Sequence, residues 1–355
     1  MRKFDFAIGN PPYQDQTLGD NDGFAPPVYD KFIDAADCIA DKVEMIHPAR
    51  FLFNAGSTPK SWNEKKLSDP HFKVLQYEED ASKVFPNTDI KGGVAITYRD
   101  GNKEYGAIGI FTQYQTLNTI LNKILPYLKS GSLSDIGFSG YAYHFTENMH
   151  IEHPELKTKK IIVDGKERPL LSKGHEYDLK SNIIDKIPDI FLDEKPNDCD
   201  FLIIVGRSNN ERVNKYVKKK YIAKTENLDS FKLLIPKASG IGAFGEPLGP
   251  SVVAEPSMGH TETFFSIGKF NTKIETENLL KYLKGKFSRA LLSVSKKTQN
   301  ITPGNFIYIP LQDFTAASDI DWSKPIRDID QQLYRKYNLT PEEISFIETN
   351  VKEME

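Results

Sequence analysis

The 355 residues exceed what one hydrophobic core usually organises, about 250–300 residues, and so predict more than one domain. With 39% apolar residues, 27% charged residues and a formal net charge of −3, the chain is neither a polycation nor a disordered polyelectrolyte. Any nucleic-acid binding must therefore come from local patches. The two distant cysteines, Cys38 and Cys199, exclude a disulfide framework and a cysteine zinc site and predict a reducing, cytoplasmic setting. No apolar run reaches the ~18–20 residues of a membrane span, and the segment after Met1 has no apolar signal region.

In chain order, Phe4–Gly9 is a short apolar run stopped by Asn10-Pro11-Pro12, which predicts a buried strand feeding a loop. Residues 14–27 are rich in Gly, Asp and Pro and predict a mobile loop. Tyr29, Phe32, Ile33, Ala36 and Ile39 recur at helical spacing. Strands are expected at Val43–Ile46, Phe72–Tyr77 and Val94–Tyr98, so the grammar is that of a doubly wound α/β sheet. Leu117 to Leu128 reads as a second amphipathic helix. Beyond it lie short β-like pieces split by Gly, Pro and Asn, at 160–163, 201–205, 233–235, 251–254 and 263–267. A helix is expected over 275–295, and Thr340-Pro341-Glu342-Glu343 reads as a capping box with proline at the first helical position. These elements predict three parts: 1–125 as a partial doubly wound (Rossmann-like) catalytic domain, 126–315 as an α+β recognition domain, and 316–355 as a helical C-terminal tail.

The strongest chemical signal is Asn10-Pro11-Pro12-Tyr13 directly after a strand. An exocyclic adenine amine is a poor nucleophile because its lone pair is delocalised into the ring. The Asn10 amide oxygen and the Pro11 carbonyl can accept its N–H bonds and localise that pair. Two prolines hold those acceptors rigid, and Tyr13 offers a face to a base extruded from a duplex. A strand ending in Pro-Pro can also be merely a rigid turn. Its position at a strand end, where α/β sheets place their ligands, favours function.

Phe4-Asp5-Phe6-Ala7-Ile8-Gly9 with this tetrapeptide resembles motif IV of amino-methyltransferases acting on DNA adenine. Val84-Phe85-Pro86 followed by Asp89-Ile90-Lys91-Gly92-Gly93-Val94 resembles their motif VIII, and Met45 to Phe51 sits where the family has its intervening strand and loop. Ile301-Thr302-Pro303, Ile309-Pro310 and the stretch from Asp321 to Tyr334 look like the tail of large type II restriction–modification methylases. The resemblance implies N6-adenine-specific DNA methylation with S-adenosyl-L-methionine as cofactor. Asn10, Pro11, Pro12 and Tyr13 would hold the target amine, Phe85 would stack on the base, and Asp5 would lie beside the cofactor. The amine can attack the sulfonium methyl directly and lose its proton afterwards.

The family's Gly-rich cofactor loop lies upstream of motif IV and is absent from this sequence. The expectation is therefore an incomplete cofactor site, completed by a partner polypeptide or a missing N-terminal half, with half a sheet presenting an apolar edge or face. Gly240-Ile241-Gly242-Ala243-Phe244-Gly245 has the letters of a dinucleotide loop. The following Glu246-Pro247 cannot open a helix, so it is read as a flexible DNA-facing loop instead.

Double-stranded DNA is the expected partner. Residues 207–237 carry nine basic side chains, Arg207, Arg212, Lys215, Lys218, Lys219, Lys220, Lys224, Lys232 and Lys237, against three acidic ones. Residues 281–297 carry six, including Lys284, Lys286 and Arg289, and no acid. Each lysine alone reads equally well as a solvated surface. His144, His150 and His153 with Glu147 read as scattered surface groups rather than a metal site. A nuclease reading of Pro188-Asp189 with Asp193-Glu194-Lys195 is set aside, because these carboxylates lie too close together to come from separate strands. The competing function is a catalytically inactive DNA-specificity subunit that keeps the tetrapeptide as a relic. An RNA or protein-glutamine methyltransferase would end sooner after its catalytic domain.

Overall fold

The structure is a computed structural model that describes residues 4–15, 25–86, 88, 90–163, 165–197, 200–296 and 298–354. Most of the loop expected at 14–27, together with Asp89 and Cys199, lies outside the described residues. The chain is mixed α/β and forms two compact units, residues 1–118 and 119–355.

The first unit contains β1 (Phe4–Gly9), α1 (Tyr29–Ile39), β2 (Ala40–Pro48), α2 (Lys60–Ser68), β3 (Phe72–Glu78) and β4 (Val94–Asp100). They build one four-stranded sheet in the order β1-β2-β4-β3. β1 and β2 are parallel, joined through α1 as a βαβ unit, with Phe6 opposite Lys42 and Gly9 opposite Met45. β4 runs antiparallel to both β2 and β3, so β1, β2 and β3 share one direction. The sheet is thus mixed, with one antiparallel strand among the four. The link from β3 to β4 stays at the same end of the sheet and needs no crossover helix.

α1 forms because Tyr29, Ile33 and Ala36 fall on one face, and all three are buried against Val43, Met45, Phe51, Trp62 and Phe72. Lys66 of α2 is buried, and its ammonium is held by Asp34 at 2.9 Å and Asp37 at 2.5 Å from α1. β1 is different. It is an edge strand, and Phe4, Phe6 and Ile8 on one of its faces are 56%, 58% and 75% exposed. An apolar, unpaired edge of this kind is what natural sheets avoid unless something covers it.

The second unit begins within α3 (Gln115–Leu128). It continues through β5 (Gly137–Phe138), α4 (Glu147–Glu152), α5 (Glu155–Thr158), the hairpin β6 (Lys160–Val163) and β7 (Lys166–Pro169), and α6 (Ile183–Lys186). β8 (Phe201–Ser208), β9 (Glu211–Lys218), β10 (Phe231–Pro236), β11 (Val252–Ala254), β12 (Met258–His260) and β13 (Phe264–Phe270) follow. Two sheets result, β11-β10-β13-β5 and β12-β8-β9. Asn227 knits them together: it accepts from the Tyr143 hydroxyl at 2.6 Å and donates to Ser266 at 3.0 Å, which also meets His260.

The expected helix over 275–295 is two helices, α7 (Lys273–Lys284) and α8 (Lys286–Ser295), broken at Gly285. The apolar periodicity runs on across the break, which hides it in the sequence. The cause is Asp330 of α9 (Ile326–Lys336), whose carboxylate accepts from the Lys286 and Phe287 amides at 2.8 and 3.1 Å. A Cβ at position 285 would stand 2.7 Å from that carboxylate. Burial pushes the Asp330 carboxyl up to about 6. α10 (Pro341–Asn350) carries the expected capping box, with Thr340 accepting from Glu343 N at 3.3 Å and Glu343 accepting from Thr340 N at 2.7 Å. The 316–355 segment packs into the second unit through Ile329, Leu333, Tyr334 and Ile347.

Candidate functional site

Because β1 and β2 are parallel, their carboxyl ends lie at the same end of the sheet. His47 pairs with Ala95 and Pro48 with Val94, which brings the residues preceding β4 to that end as well. This is where α/β sheets place their ligands. Asn10 follows β1 immediately and is exposed, Pro11 is buried, and Tyr13 is half-buried. The Tyr13 carbonyl accepts from Val28 N at 3.2 Å, Asp15 N donates to Pro26 O at 2.9 Å, and Gln14 bridges to Pro27. The tetrapeptide is thereby tied to the residues that lead into α1.

Phe85 arrives from the other side of the unit's sequence. Asp80 caps a short 3-10 turn at Ala81–Lys83 by accepting from Ser82 N at 3.1 Å, and Phe85 N closes the next turn on Ala81 O at 2.8 Å. Its ring meets that of Tyr13 edge-on, with centroids 6.3 Å apart and planes at 68°. Two residues 72 positions apart, each singled out for stacking, are therefore in contact. They contact each other, however, rather than framing an open slot. A base sandwiched between two rings needs them roughly 7–8 Å apart and parallel, two contact distances.

The loops at this end enclose a cavity of about 290 Å³, lined by Tyr13, Tyr29, Arg50 and Lys91 among others. That is the lower end of the ~300–1,000 Å³ range for small-ligand sites and suits one small planar group. Asn10 and Phe85 are not on its lining, so Tyr13 is the residue shared by the cavity and the aromatic pair. The Tyr13 hydroxyl is buried with no partner among the described residues, and burial raises its pKa. Burial likewise pushes the Tyr29 phenol up to about 12. His47, fully buried, stacks on Tyr29 at 5.7 Å and meets Thr97 Oγ1 at 2.7 Å. Desolvation holds its imidazole down at about 4, so it is neutral near pH 7 and a weak base.

Asp5 is exposed near the amino end of β1. At about 3.3 Å per strand residue it lies roughly 16 Å from Asn10, and it does not line the cavity. The residues that sequence reasoning missed are Arg50, Lys91 and Tyr29. Lys91 lies in the stretch resembling motif VIII and Arg50 in the segment from Met45 to Phe51, but neither was singled out, and the three meet only through the sheet register.

The basic segment of the second unit is less cationic than its letters suggest. Lys218 and Lys220 both pair with Glu152, and Lys215 pairs with Asp193, acids brought in from other segments. Lys224 lies 3.5 Å from Asp229. Lys232 is buried on the Leu228 and Ser230 carbonyls, and desolvation lowers its pKa to about 7. Lys286 pairs with Glu348. Arg289 corrects the DNA-facing set: it is 1% exposed, and its guanidinium donates to the Gly245, Lys284 and Lys352 carbonyls.

Arg207, Arg212 and Lys219 remain exposed. Arg207 and Arg212 face each other directly across β8 and β9, beside a two-residue turn in which Asn209 and Asn210 both take positive φ, 49° and 66°. Lys284 lines a separate pocket with Arg327 and Glu353.

The Gly-rich loop at 240–245 is filled from within. The Glu246 carboxylate accepts from Ile241, Gly242 and Ala243 amides at 2.8–3.2 Å and pairs with buried Lys296. The expected flexible DNA-facing loop is instead folded around its own acid. His150 corrects the surface reading: it is buried, its ring edge-on to that of Tyr177 with centroids 4.6 Å apart. Among the described residues, no group of three or more His, Cys, Asp or Glu side chains is placed to hold a metal, and no helix is long and apolar enough to cross a membrane.

Comparison with known proteins places this geometry in a context. Residues 1–85 match the sequence model of the Eco57I restriction-modification methylase family. An uncharacterized adenine-specific methylase of Mycoplasma pneumoniae is 32% identical over 96 residues, 26% of this chain and 23% of that protein. The crystal structure of the type IIG restriction endonuclease BpuSI aligns over 87% of this chain and 46% of that one, at 11% identity and a TM-score of 0.30. The chain thus spans about a quarter of the curated relative and just under half of the solved structure.

Proposed function

For a chain whose first 85 residues are restriction–modification methylase sequence, we propose that the activity is methylation of adenine N6 in double-stranded DNA. The observation that carries this is the tetrapeptide Asn10 to Tyr13 at a parallel strand's carboxyl end, with Phe85 brought against Tyr13 and a one-base cavity beside it. Asn10 Oδ1 and the Pro11 carbonyl accept the two N–H bonds of an extruded adenine and localise the nitrogen lone pair. Tyr13 and Phe85 part to take the base, exchanging their contact with each other for contact with its faces. The proton leaves the amine after the transfer, in keeping with a neutral, buried His47 that cannot serve as a strong base.

S-adenosyl-L-methionine supplies the methyl group as a cationic sulfonium. The described residues do not fit it: the cavity's only charged lining groups are Arg50 and Lys91, which repel a cation, and the Gly-rich loop is closed around Glu246. The exposed apolar edge of β1 supports a cofactor-binding half added there, as a partner polypeptide or another part of the same protein.

DNA contact outside the site is assigned first to Arg207 and Arg212. They stand directly opposite in the hairpin, each with one guanidinium N–H on a backbone carbonyl, Asn210 O or Pro250 O, and their remaining N–H groups can converge on one phosphate, which would offset the repulsion of like charges. Reversing both to glutamate is expected to weaken binding to all duplex sequences alike and to flatten the salt dependence by about two units of logarithmic slope. Reversing Lys218 and Lys220, whose charges Glu152 already meets, is expected to change it less. Equal slopes for both double mutants and the unaltered protein would remove this hairpin from the DNA surface.

The experiment that tests the function is transfer of labelled methyl groups to duplex DNA by the chain together with its cofactor-binding half, followed by identification of the modified nucleoside.

A further inference from the structure

Arg50 sits where an arginine is unusually constrained for an exposed residue. It opens a short 3-10 turn, Arg50–Phe53, that follows β2 and is closed by Asn54 in the left-handed region at φ 51°. Its aliphatic stem runs between two glycines from different segments. Gly56 has φ +91° and would place a Cβ 3.0 Å from Arg50 Cβ, and Gly92 has φ +89° and would place one 2.8 Å from Arg50 Cγ. Both conformations are ones that side chains rarely adopt; the approach at Gly92 is closer than a Cβ permits, and that at Gly56 is tight. Arg50 Nε donates to the Lys91 carbonyl at 2.5 Å, which fixes the plane of the guanidinium.

Among the described residues, no carboxylate lies within ion-pair distance of Arg50. The side chain is thus ordered in advance, with no anion among the described residues to receive its terminal N–H groups. Lys91 lines the same cavity, and among the described residues these two are its only charged lining groups. A neutral base needs neither cation. The anion that accompanies every base in DNA is its phosphate, and a planar guanidinium with its fork free is the side chain suited to bind it.

We propose that Arg50, assisted by Lys91, binds the phosphate flanking the nucleotide whose base enters the Tyr13 cavity, and so sets how far that nucleotide is drawn out of the duplex. The proposal rests on the reading of this cavity as an adenine site. A phosphate contact carries no sequence information, but it fixes register. Here the register is that of the amine relative to Asn10, three residues before Tyr13.

The test compares two small probes with the same base, 2′-deoxyadenosine and 2′-deoxyadenosine 3′,5′-bisphosphate, binding to the chain by ligand-observed NMR titration. The unaltered protein is expected to favour the bisphosphate by about tenfold or more, and the preference should shrink as salt is raised. Arg50→Ala should abolish the preference, the bisphosphate then binding that variant no better than the nucleoside does, and Arg50→Lys should keep only part of it. Gly92→Ala provides a second variant that retains the charge: its Cβ would displace the Arg50 stem, and the preference should fall with the guanidinium still present.

If both probes bind equally to the unaltered protein, the phosphate assignment fails and the adenine site stands. If neither binds, the adenine site fails and takes the proposal with it. A third arm uses S-adenosylhomocysteine, whose carboxylate is an alternative anion. Arg50-dependent binding of that compound with no bisphosphate preference would overturn the assignment in favour of the cofactor.

Discussion

Replacing Asn10 by alanine is expected to slow methyl transfer by about 10²–10³-fold in the protein assembled with its cofactor-binding half, with little change in cofactor affinity. The size follows from the role. An acceptor aimed at the amine acts weakly on the resting base, whose N–H bonds water satisfies equally well. It acts strongly as the nitrogen loses conjugation and its hydrogens become more acidic. Loss of a group that works mainly in the transition state lowers kcat and kcat/KM together. The backbone around Asn10 is held by its own bonds, Tyr13 O to Val28 N and Asp15 N to Pro26 O, so the substitution should leave the fold intact. Single-turnover rates measured with pre-bound DNA isolate the chemical step. A drop confined to KM would give Asn10 a role in binding only.

Replacing Phe85 by alanine is expected to weaken capture of the extruded base by about 1–3 kcal/mol, the range for one base–aromatic stack. The edge-on contact with Tyr13 adds a particular consequence. In the resting protein Phe85 covers part of the Tyr13 ring, so its removal also frees that face. The net loss should therefore fall toward the lower end of the range, and Tyr13→Ala should cost more than Phe85→Ala. A mismatched partner opposite the target adenine lowers the cost of extrusion. It should rescue Phe85→Ala in part and Asn10→Ala not at all, because the latter defect lies in the chemical step. Equal rescue of both would reverse the two assignments.

Much of the first unit was legible because its signals are local. An apolar run stopped by Asn-Pro-Pro, a helical stripe from Tyr29 to Ile39 and three further apolar runs are each decided within about ten residues. The direction of β4 was not legible, since an antiparallel return and a crossover strand present the same apolar letters. Resemblance to a family put Tyr13 and Phe85 on opposite faces of a base; that the two rings meet each other was not legible. Arg50 escaped notice because what distinguishes it is two missing Cβ atoms, 6 and 42 residues further along, which mean nothing until β2 and β4 are paired. Charge counting failed for a related reason. The window 207–237 omits Glu152 and Asp193, which fold onto Lys215, Lys218 and Lys220, and it cannot tell that Lys232 is buried. The helix break at Gly285 and the closure of the 240–245 loop both depend on a carboxylate, Asp330 or Glu246, taking the place that a sequence window leaves open.

The central claim is that the Asn10–Tyr13 loop acts on the amine of an adenine in DNA, and the most direct measurement is the identity of the methylated nucleoside. Duplex DNA is incubated with labelled S-adenosyl-L-methionine and the assembled protein, digested to nucleosides, and separated with mass detection. The account predicts label in N6-methyl-2′-deoxyadenosine alone, and nearly none with Asn10→Ala. Label in N4-methylcytosine, in RNA or in a protein glutamine, or undiminished N6-methyladenine with Asn10→Ala, would contradict it.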